Sequence, residues 1–235
     1  MTRDIAITAQ GVSKSFRNGK ATIDVVRNLD ITVDAGAFTL IKGPSGCGKS
    51  TLLAILAGLT SPDKGKVELG DTAIWSLSAR KRDAFRLKNM GFIFQGSILL
   101  PSLKAHEQIS FVLQQMGVPR GEAYSRACQA LCDVGLEDRI DLLPSALSGG
   151  EKQRVSVACA LAKKPRVIFA DEPTSALDGE NGERVSSKLR DLAQQKGVAV
   201  VCVTHDERLT PFADRILQME DGRFLTSQEE KKSHA

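Results

Sequence analysis

A glycine-rich segment near residue 45 has the residue types and spacing of a phosphate-binding loop. Gly43-Pro-Ser-Gly-Cys-Gly-Lys-Ser-Thr51 matches the pattern G-x-x-x-x-G-K-[ST] and lies between a strand-like and a helix-like run. Gly46 and Gly48 let the backbone curve so that successive N–H groups face one site, to which the following helix adds its positive dipole end. Lys49 can then reach β- and γ-phosphates, and the Ser50 hydroxyl can bind Mg²⁺. The segment predicts a nucleoside triphosphate site.

Two adjacent carboxylates follow an apolar, strand-like run later in the chain. In Val167-Ile-Phe-Ala-Asp-Glu172, Asp171 could hold hydrated Mg²⁺, and Glu172 could orient and deprotonate an attacking water. An Asp-Glu-Pro sequence after a strand is weak evidence for a catalytic site by itself, because acids and proline often begin loops. In a chain that also has a phosphate-binding loop, the same sequence is strong evidence, and it predicts a hydrolytic site.

His205 and Gln95 are weaker candidates for the same site. His205 follows the apolar run that ends at Val203-Thr204, and ligand sites of α/β folds gather at such strand ends. Gln95 ends the run Gly91-Phe-Ile-Phe-Gln95 and could present a neutral ligand to Mg²⁺. Taken alone, a single histidine is usually structural, and a glutamine at a strand end usually faces solvent.

The elements that must position these residues alternate short apolar runs with longer helical patterns. Phe38–Lys42, Val167–Ala170 and Val198–Val203 are typical of parallel strands that are covered on both faces. Helical patterns follow the first two of these runs, at Ser50–Ala57 and Glu180–Lys196. The chain is therefore predicted to be an α/β protein with a parallel sheet.

Two other regions have different patterns. Residues 1–37 suggest antiparallel strands, with Asn18-Gly19 as a hairpin turn. The middle of the chain is mostly helical and is interrupted by prolines. We expect a single domain of 235 residues, divided into a catalytic core with a β subdomain (1–95 and 150–225), a helical lobe (96–149) and a flexible tail (226–235).

Composition excludes several classes of protein without naming a function. The chain is 42% hydrophobic and has 32 Lys+Arg against 28 Asp+Glu, as in globular proteins and unlike disordered or collagenous ones. Its five cysteines form no C-x-x-C pair and predict free, mostly buried thiols in a reducing cytosol. No run approaches the ~18 apolar residues of a membrane span, and no secretory signal is recognisable, so we expect a cytoplasmic protein. The net charge of +4 is too small to argue for nucleic acid as a partner.

The segment Leu147-Ser-Gly-Gly-Glu-Lys-Gln-Arg-Val155, together with the phosphate-binding loop, resembles the signature of the ATP-binding cassette (ABC) ATPases. The resemblance extends from Phe16 to about Leu225, with seven motifs in the family's order. It implies a P-loop NTPase cassette: a RecA-like core with a parallel sheet, an N-terminal antiparallel β subdomain and a helical lobe. It also implies ATP and Mg²⁺ as cofactors and hydrolysis of ATP to ADP and phosphate.

The family's functional residues map onto this sequence motif by motif. The implied ATP-binding residues are Phe16, which matches the aromatic residue that stacks on adenine, and the Walker A residues Gly43, Pro44, Ser45, Gly46, Cys47, Gly48, Lys49, Ser50 and Thr51. The implied Mg²⁺ ligands are Ser50, Gln95 of the Q-loop and Asp171 of Walker B. Glu172 is the implied general base, and the other catalytic residues are Lys49, Gln95 and the switch histidine His205. The residues implied to act across a dimer are Ser148, Gly149, Gly150 and Glu151 of the signature and Asp178 of the D-loop.

The resemblance also implies how the chain assembles. Two cassettes pair head to tail as a homodimer and enclose two ATP molecules, each between the Walker motifs of one subunit and the signature of the other. The Ser148 hydroxyl and the N–H groups of Gly149 and Gly150 can donate to a γ-phosphate that arrives across this interface. Ser148 also falls just before the helical pattern Glu151–Leu161, where capping that helix is its simpler role. ATP binding closes the dimer, and hydrolysis reopens it.

Segments after the Q-loop indicate the subfamily. Leu99-Leu-Pro-Ser-Leu-Lys-Ala105 and Ala213–Arg223 are similar to those of the lipoprotein-release, macrolide-export and heterocyst glycolipid-export cassettes. By this resemblance the chain powers a separate integral membrane permease, with a periplasmic adaptor in some systems, for export or extraction of a lipid, lipoprotein or drug. It would lie on the cytoplasmic face of the inner membrane, and we expect the permease's coupling helix to dock around Gln95–Ala105.

One alternative function stays open, and a second is disfavoured by the residues present. A force-transmitting or regulatory cassette of the division type would act through a membrane partner without moving a solute. A nonenzymatic nucleotide sensor is disfavoured because Glu172 and His205 are both present. The sequence departs from relatives at Cys159, where they usually carry arginine, and this leaves a surface ion pair in doubt without removing a phosphate ligand.

Overall fold

The computed structural model describes residues 4–19 and 21–225, so the sequence-predicted tail at 226–235 lies outside the described residues. The strands are β1 (Ile5–Asn18), β2 (Ala21–Asp34), β3 (Phe38–Lys42), β4 (Lys64–Leu69), β5 (Thr72–Ala73), β6 (Met90–Ile93), β7 (Val167–Asp171), β8 (Ala199–Val203), β9 (Arg215–Glu220) and β10 (Arg223–Phe224). The helices are α1 (Lys49–Leu56), α2 (Ala79–Asn89), α3 (Ala105–Gln115), α4 (Arg120–Cys132), α5 (Gly149–Ala162) and α6 (Gly179–Lys196). Within those described ranges, no helix is both long and apolar enough to cross a membrane.

The larger sheet has six strands in the order β10-β9-β3-β8-β7-β6. All of its neighbouring strands are parallel except β10, which pairs antiparallel with β9. Alternate residues of the central strands enter two different hydrophobic clusters. Leu40 and Cys202 pack with α3, α4, α5 and α6, whereas Ile41 and Val203 pack with α1 and the smaller sheet. Both faces of the sheet are therefore covered, which explains the continuous apolar runs and confirms the predicted parallel sheet.

The smaller sheet is antiparallel, with the order β2-β1-β4-β5. The sequence predicts separate strands near Ile5–Thr8 and Phe16, but the structure has one long strand, β1, which pairs with both β2 and β4. Its pairing with β2 shifts register between Ala9 and Val12, and Gly11 in this stretch has a φ of 61°. Such a bulge breaks the alternation of apolar and polar residues, so the sequence pattern divides one strand into two.

Three helices between β6 and β7 form a packed helical region. Leu113 of α3, Leu131 of α4 and Val157 of α5 are fully buried in one hydrophobic cluster that also includes residues of the larger sheet. Truncating a buried leucine of this kind to alanine typically costs about 2–5 kcal/mol. Helix α5 begins two residues before its predicted start at Glu151, directly after Ser148.

The carboxyl ends of the central strands bring the predicted site residues together. The register pairs Ile41 of β3 with Val203 of β8, and pairs Val203 with Asp171 of β7. Because these strands are parallel, the loops that follow them leave from the same edge of the sheet. The phosphate-binding loop, the two carboxylates and His205 therefore meet at one edge.

Candidate active site

The phosphate-binding loop joins β3 to α1 and packs closely against neighbouring backbone. Gly48 has a φ of 105°, in the left-handed region, and a Cβ there would overlap the carbonyl oxygen of Val25. A Cβ at Gly43 would overlap the carbonyl oxygen of Met219. Only glycine fits both positions without strain or displacement. Helix α1 begins at Lys49, so its first N–H groups and the positive end of its dipole lie at the loop.

The Lys49 side chain folds back over this loop and is only 8% exposed. Its Nζ donates to the carbonyl oxygens of Gly43 and Pro44, each at 2.8 Å, and lies 3.8 Å from Cys47 Sγ. A buried ammonium requires such partners. The two carbonyl groups are neutral, so a phosphate oxygen would provide the counter-charge that the loop itself does not supply.

Ser50 and Asp171 form the candidate Mg²⁺ position. Ser50 Oγ donates to Asp171 Oδ1 at 3.1 Å. Ser50 and Gln95 both line the cavity that is described below. Burial raises the pKa of Asp171, and the nearby Glu172 adds to that rise, so a cation here would relieve an unfavourable charge. The residues fit Mg²⁺, which uses one or two carboxylates and completes its shell with phosphate oxygens and water. Within the described part of the chain, no cluster of three or more His, Cys, Asp or Glu side chains that could hold a metal ion is found.

Glu172 follows β7 and is held by residues at the end of β8. It is 7% exposed and has a φ of 49°, which is uncommon for a residue other than glycine. Thr204 Oγ1 donates to Glu172 Oε2 at 2.7 Å, while the backbone N–H and ring Nδ1 of His205 lie 3.2 and 2.7 Å from Oε1. Unusual backbone conformations that are fixed by surrounding hydrogen bonds are concentrated at functional sites. The arrangement gives this carboxylate one defined position.

These groups surround a cavity of about 480 Å³ at the edge of the sheet. It is lined by every residue of the loop from Gly43 to Thr51 except the buried Cys47, and by Gln95, Glu172 and His205. The His205 side chain is 75% exposed, so its ring remains accessible from solvent. The structure thus brings the predicted Walker A, Q-loop, Walker B and switch residues to one concave site.

Phe16 is not among the described residues that line this cavity. It lies on β1, is 45% exposed, and has the Lys14 ammonium 5.4 Å from its ring centroid. Val25 of the neighbouring strand does line the cavity, although the sequence analysis did not select it. The stacking of adenine on Phe16 stays a prediction.

The signature residues lie apart from this cavity, at the start of α5. The Glu151 N–H donates to Ser148 Oγ at 3.2 Å, and the Ser148 N–H donates to Glu151 Oε2 at 2.8 Å, forming a capping box. The Ser148 N–H and the Arg139 side chain lower the pKa of Glu151 to about 2. The structural role proposed for Ser148 as a cap is confirmed, and its hydroxyl hydrogen is still free to donate elsewhere.

The D-loop lies beside the signature within the same chain. A Cβ on Gly150 would lie 3.2 Å from the Ala176 carbonyl oxygen, whereas a Cβ on Gly149 would have nothing within 4 Å. Asp178 caps α6 by accepting from the Asn181 N–H at 2.9 Å, which lowers the pKa of Asp178. Asn181 in turn accepts a hydrogen bond from Arg154 of α5. These contacts join the signature helix to the D-loop.

Sequence reasoning missed two residues that hold the site in place. Thr204 binds the Glu172 carboxylate, and its position at the end of an apolar run directly before His205 was the available signal. Gln153 of α5 is 1% exposed and donates to the carbonyl oxygen of Phe94, next to Gln95, at 3.3 Å. Nothing in the sequence pattern distinguishes Gln153 from a solvent-facing helical residue.

Comparisons with known proteins identify the relatives of this chain. The ABC transporter family profile matches residues 26–175. A Staphylococcus aureus protein named for hemin import, the ATP-binding protein HrtA, is 39% identical over 94% of this chain and 99% of its own length. The Staphylococcus haemolyticus protein of the same name is 40% identical over the same shares.

Solved structures show the same fold. A dimeric, post-hydrolysis structure of the ATP-binding cassette MJ0796, bound to ADP and phosphate, has a TM-score of 0.90 and 34% identity, covering 94% of this chain and 97% of that one. A second dimeric structure of MJ0796, described as a bacterial ABC transporter cassette, has a TM-score of 0.90 and 35% identity with the same coverage. The predicted cassette fold is thereby confirmed. Together with the phosphate-binding loop and the Glu172 site, these matches establish that the chain belongs to the ABC transporter family, as an ATP-binding and ATP-hydrolysing cassette.

Proposed function

We propose that this ATPase powers a separate membrane permease, which docks on the segment that follows β6. The observation that carries the proposal is the exposure of large apolar side chains there: Ile98 is 74% exposed, Leu100 50% and Phe94 37%. Isolated exposed apolar residues are normal. Here, however, three large apolar side chains are exposed within a span of seven residues beside Gln95, and such a group suits contact with a protein partner. The sequence resemblance also points to this segment, around Gln95–Ala105, which supports the proposal.

We assign the chemistry to the residues around the cavity. Lys49 and the N-terminus of α1 would hold the β- and γ-phosphates, while Ser50, Asp171 and Gln95 would hold Mg²⁺, which neutralises phosphate charge when bound. Glu172 would accept a proton from the attacking water, since its carboxylate is fixed by Thr204 and His205 at the cavity wall. The exposed side of His205 would contact the γ-phosphate.

The site is completed by a second copy of the chain in this proposal. Ser148, Gly149 and Gly150 do not line the cavity among the described residues, although they carry free donors at a helix N-terminus. In a head-to-tail homodimer these donors would reach the γ-phosphate bound by the partner subunit. The dimeric state of both MJ0796 structures supports this arrangement.

The docking surface is connected to the signature through Gln153. This buried side chain on α5 donates to Phe94, at the start of the exposed apolar segment, and α5 begins with the signature residues. A permease that displaces Phe94 would therefore act directly on the helix that carries the donors for the second ATP. This contact gives a physical route from the permease to hydrolysis.

We propose export or extraction of a lipid, lipoprotein or drug as the transport reaction, with the cassette on the cytoplasmic face of the inner membrane. The hemin import proteins of Staphylococcus are named for an amphipathic cargo, which supports the apolar character of the substrate, but for the opposite direction. Transport of labelled cargo in inverted and right-side-out vesicles distinguishes the two directions. A permease with a periplasmic adaptor would favour export.

The test is to reconstitute the chain with the permease that copurifies with it and to measure ATPase activity with and without cargo. A photo-crosslinking amino acid at Ile98 should capture the permease, whereas the same group at the exposed Ser187 of α6 should not. Stimulation by cargo supports transport. Stimulation by the permease without any moved cargo supports a force-transmitting cassette of the division type, and equal crosslinking at both positions rejects the docking surface.

A further inference from the structure

Helix α2 carries the entire net charge of the chain. It contains five Lys or Arg residues and one Asp, which leaves 27 basic and 27 acidic residues in the rest of the sequence. The overall charge of +4 is therefore a local property of eleven residues. A positive patch of this density attracts an anionic partner.

Two of the five cations attach the helix to the body of the protein. The Arg82 guanidinium lies over the Trp75 ring, 4.7 Å from its centroid. Arg86 donates to the Gly58 carbonyl oxygen and pairs with Asp83 at 2.7 Å. These cations and the single acid are thus engaged in holding the helix in place.

The other three cations, Arg80, Lys81 and Lys88, are exposed, and none has an ion-pair partner within the described residues. Successive residues of an α-helix are rotated by about 100° around its axis, so these three cations lie on one side of α2 together with the exposed Ala84. Along the axis they extend over about 12 Å. Arg80 and Lys81 lie in the first turn, which has no acidic residue, so they face the unfavourable end of the helix dipole. The helix dipole therefore does not account for the placement of Arg80 and Lys81, although it favours Lys88 in the last turn.

The cationic side is spread along the helix and does not converge on one point. Long side chains around a small central residue can reach several separate anions that lie in a plane, as phospholipid headgroups do. A single small anion would instead need donors that converge in a cavity. Helix α2 also leads directly into β6, the edge strand of the larger sheet, and the other end of β6 leads into the apolar docking segment.

We propose that Arg80, Lys81 and Lys88 bind the anionic phospholipid headgroups of the bilayer that surrounds the permease. The proposal rests on the proposed function, because a docked permease is what brings this edge of the cassette to a membrane. The contact would orient the cassette before and during docking. It weakens with salt, because mobile ions screen exposed charges.

The test compares, by co-sedimentation, binding of the full chain to permease-free vesicles of phosphatidylcholine alone and of phosphatidylcholine with about 30% phosphatidylglycerol. The anionic lipid gives the surface a negative potential that attracts basic segments. Each cation near such a surface strengthens binding about fivefold, so replacing all three by glutamine should weaken it roughly 100-fold. The matched control replaces Arg120, Lys164 and Arg223, three exposed cations elsewhere, by glutamine. Both variants should keep the ATPase activity of the free cassette.

Phosphatidylglycerol-dependent, salt-sensitive binding that the α2 variant loses and the control keeps supports the proposal. Equal loss in both variants would show attraction by net charge only and overturn it. Binding that requires the permease in the vesicle and does not depend on phosphatidylglycerol would also overturn it, because α2 would then recognise an acidic protein segment. Permease-stimulated ATPase activity is measured in parallel, so failure of lipid binding is distinguishable from failure of the proposed function.

Discussion

The Walker side and the signature side of this cassette are built in different ways. Lys49 and Glu172 are buried, and the Glu172 carboxylate is fixed by hydrogen bonds from a different strand end. Ser148 and Glu151 instead bond to each other over three residues at the start of a helix. The Glu172 carboxylate is therefore positioned by tertiary structure, whereas the signature presents a helix end whose cap is formed locally. This difference fits the proposed site shared between two subunits.

The comparison predicts the largest effect at Glu172, the proposed general base. Glu172→Gln keeps the size of the side chain but removes the proton acceptor, so we expect kcat to fall roughly 10²- to 10⁴-fold while ATP binding persists. ATP-dependent dimerisation, measured by light scattering, should become stable in this variant. Glu207→Gln, at an exposed glutamate paired with Lys42, should keep nearly normal turnover. Normal turnover by Glu172→Gln would reject its role as base.

A smaller effect is expected at Thr204, which donates a hydrogen bond to Glu172 and would position this proposed base. Thr204→Val removes the hydroxyl that donates to Glu172 Oε2, and a hydrogen bond to a charged group contributes about 1.5–3 kcal/mol. We expect kcat to fall roughly 10- to 100-fold with little change in KM, whereas Thr204→Ser should recover most activity. Equal losses in both variants, or a change confined to KM, would contradict a positioning role.

Substitutions at the two signature glycines should distinguish contacts within the chain from the proposed contacts across the dimer. A Cβ at Gly149 meets nothing within 4 Å, so Gly149→Ala should keep or slightly raise thermal stability. The same methyl group would crowd a phosphate arriving from the partner, and we expect roughly tenfold slower hydrolysis. Gly150→Ala should lower stability, because its Cβ would press on Ala176 at 3.2 Å. If Gly149→Ala hydrolyses ATP normally, this surface does not face the second nucleotide.

The sequence was sufficient for the elements whose signal is local. The loop from Gly43 to Thr51, the apolar strands and the capping residue Ser148 each occur where their residue types predict. The division of β1 into two strands was wrong, because the irregular register around Gly11 removes the period on which strand prediction depends. Local patterns therefore predict elements well where the backbone is regular.

Contacts between distant segments were beyond the reach of such patterns. Thr204 and Glu172 are separated by 32 residues, and Gln153 and Phe94 by 59. These two interactions depend on the order of β6, β7 and β8 in the sheet and on how α5 packs against it. Neither the strand order nor the helix packing can be read from the periodicity of apolar residues in a single sequence. The charge of α2 was visible in the sequence. Its consequence could not be predicted from the sequence, because it depends on which of the cations the fold leaves exposed.

The smallest expected effect concerns the stability of the signature helix and its dependence on pH. Hydrogen bonds from Ser148 and Arg139 lower the pKa of Glu151 from an ordinary 4.5 to about 2. Because the folded pKa is below the unfolded one, the ionised carboxylate stabilises the fold fully above about pH 4.5, and this contribution is lost as the pH falls toward 2. A capping interaction of about 1 kcal/mol corresponds to roughly 2–4 °C in Tm for a domain of this size.

Glu151→Gln should therefore melt a few degrees below the unmodified chain at pH 7, and the difference should shrink below pH 4.5. Arg139→Gln should give part of this effect, since the Ser148 N–H would still bind the carboxylate. Differential scanning calorimetry at pH 7, 5, 4 and 3 measures the trend. A Tm difference that grows as the pH falls would mean that Glu151 is stabilised in its protonated form. The capping box would then not be the interaction by which Glu151 stabilises the signature helix, and the contrast between the two sides would fail.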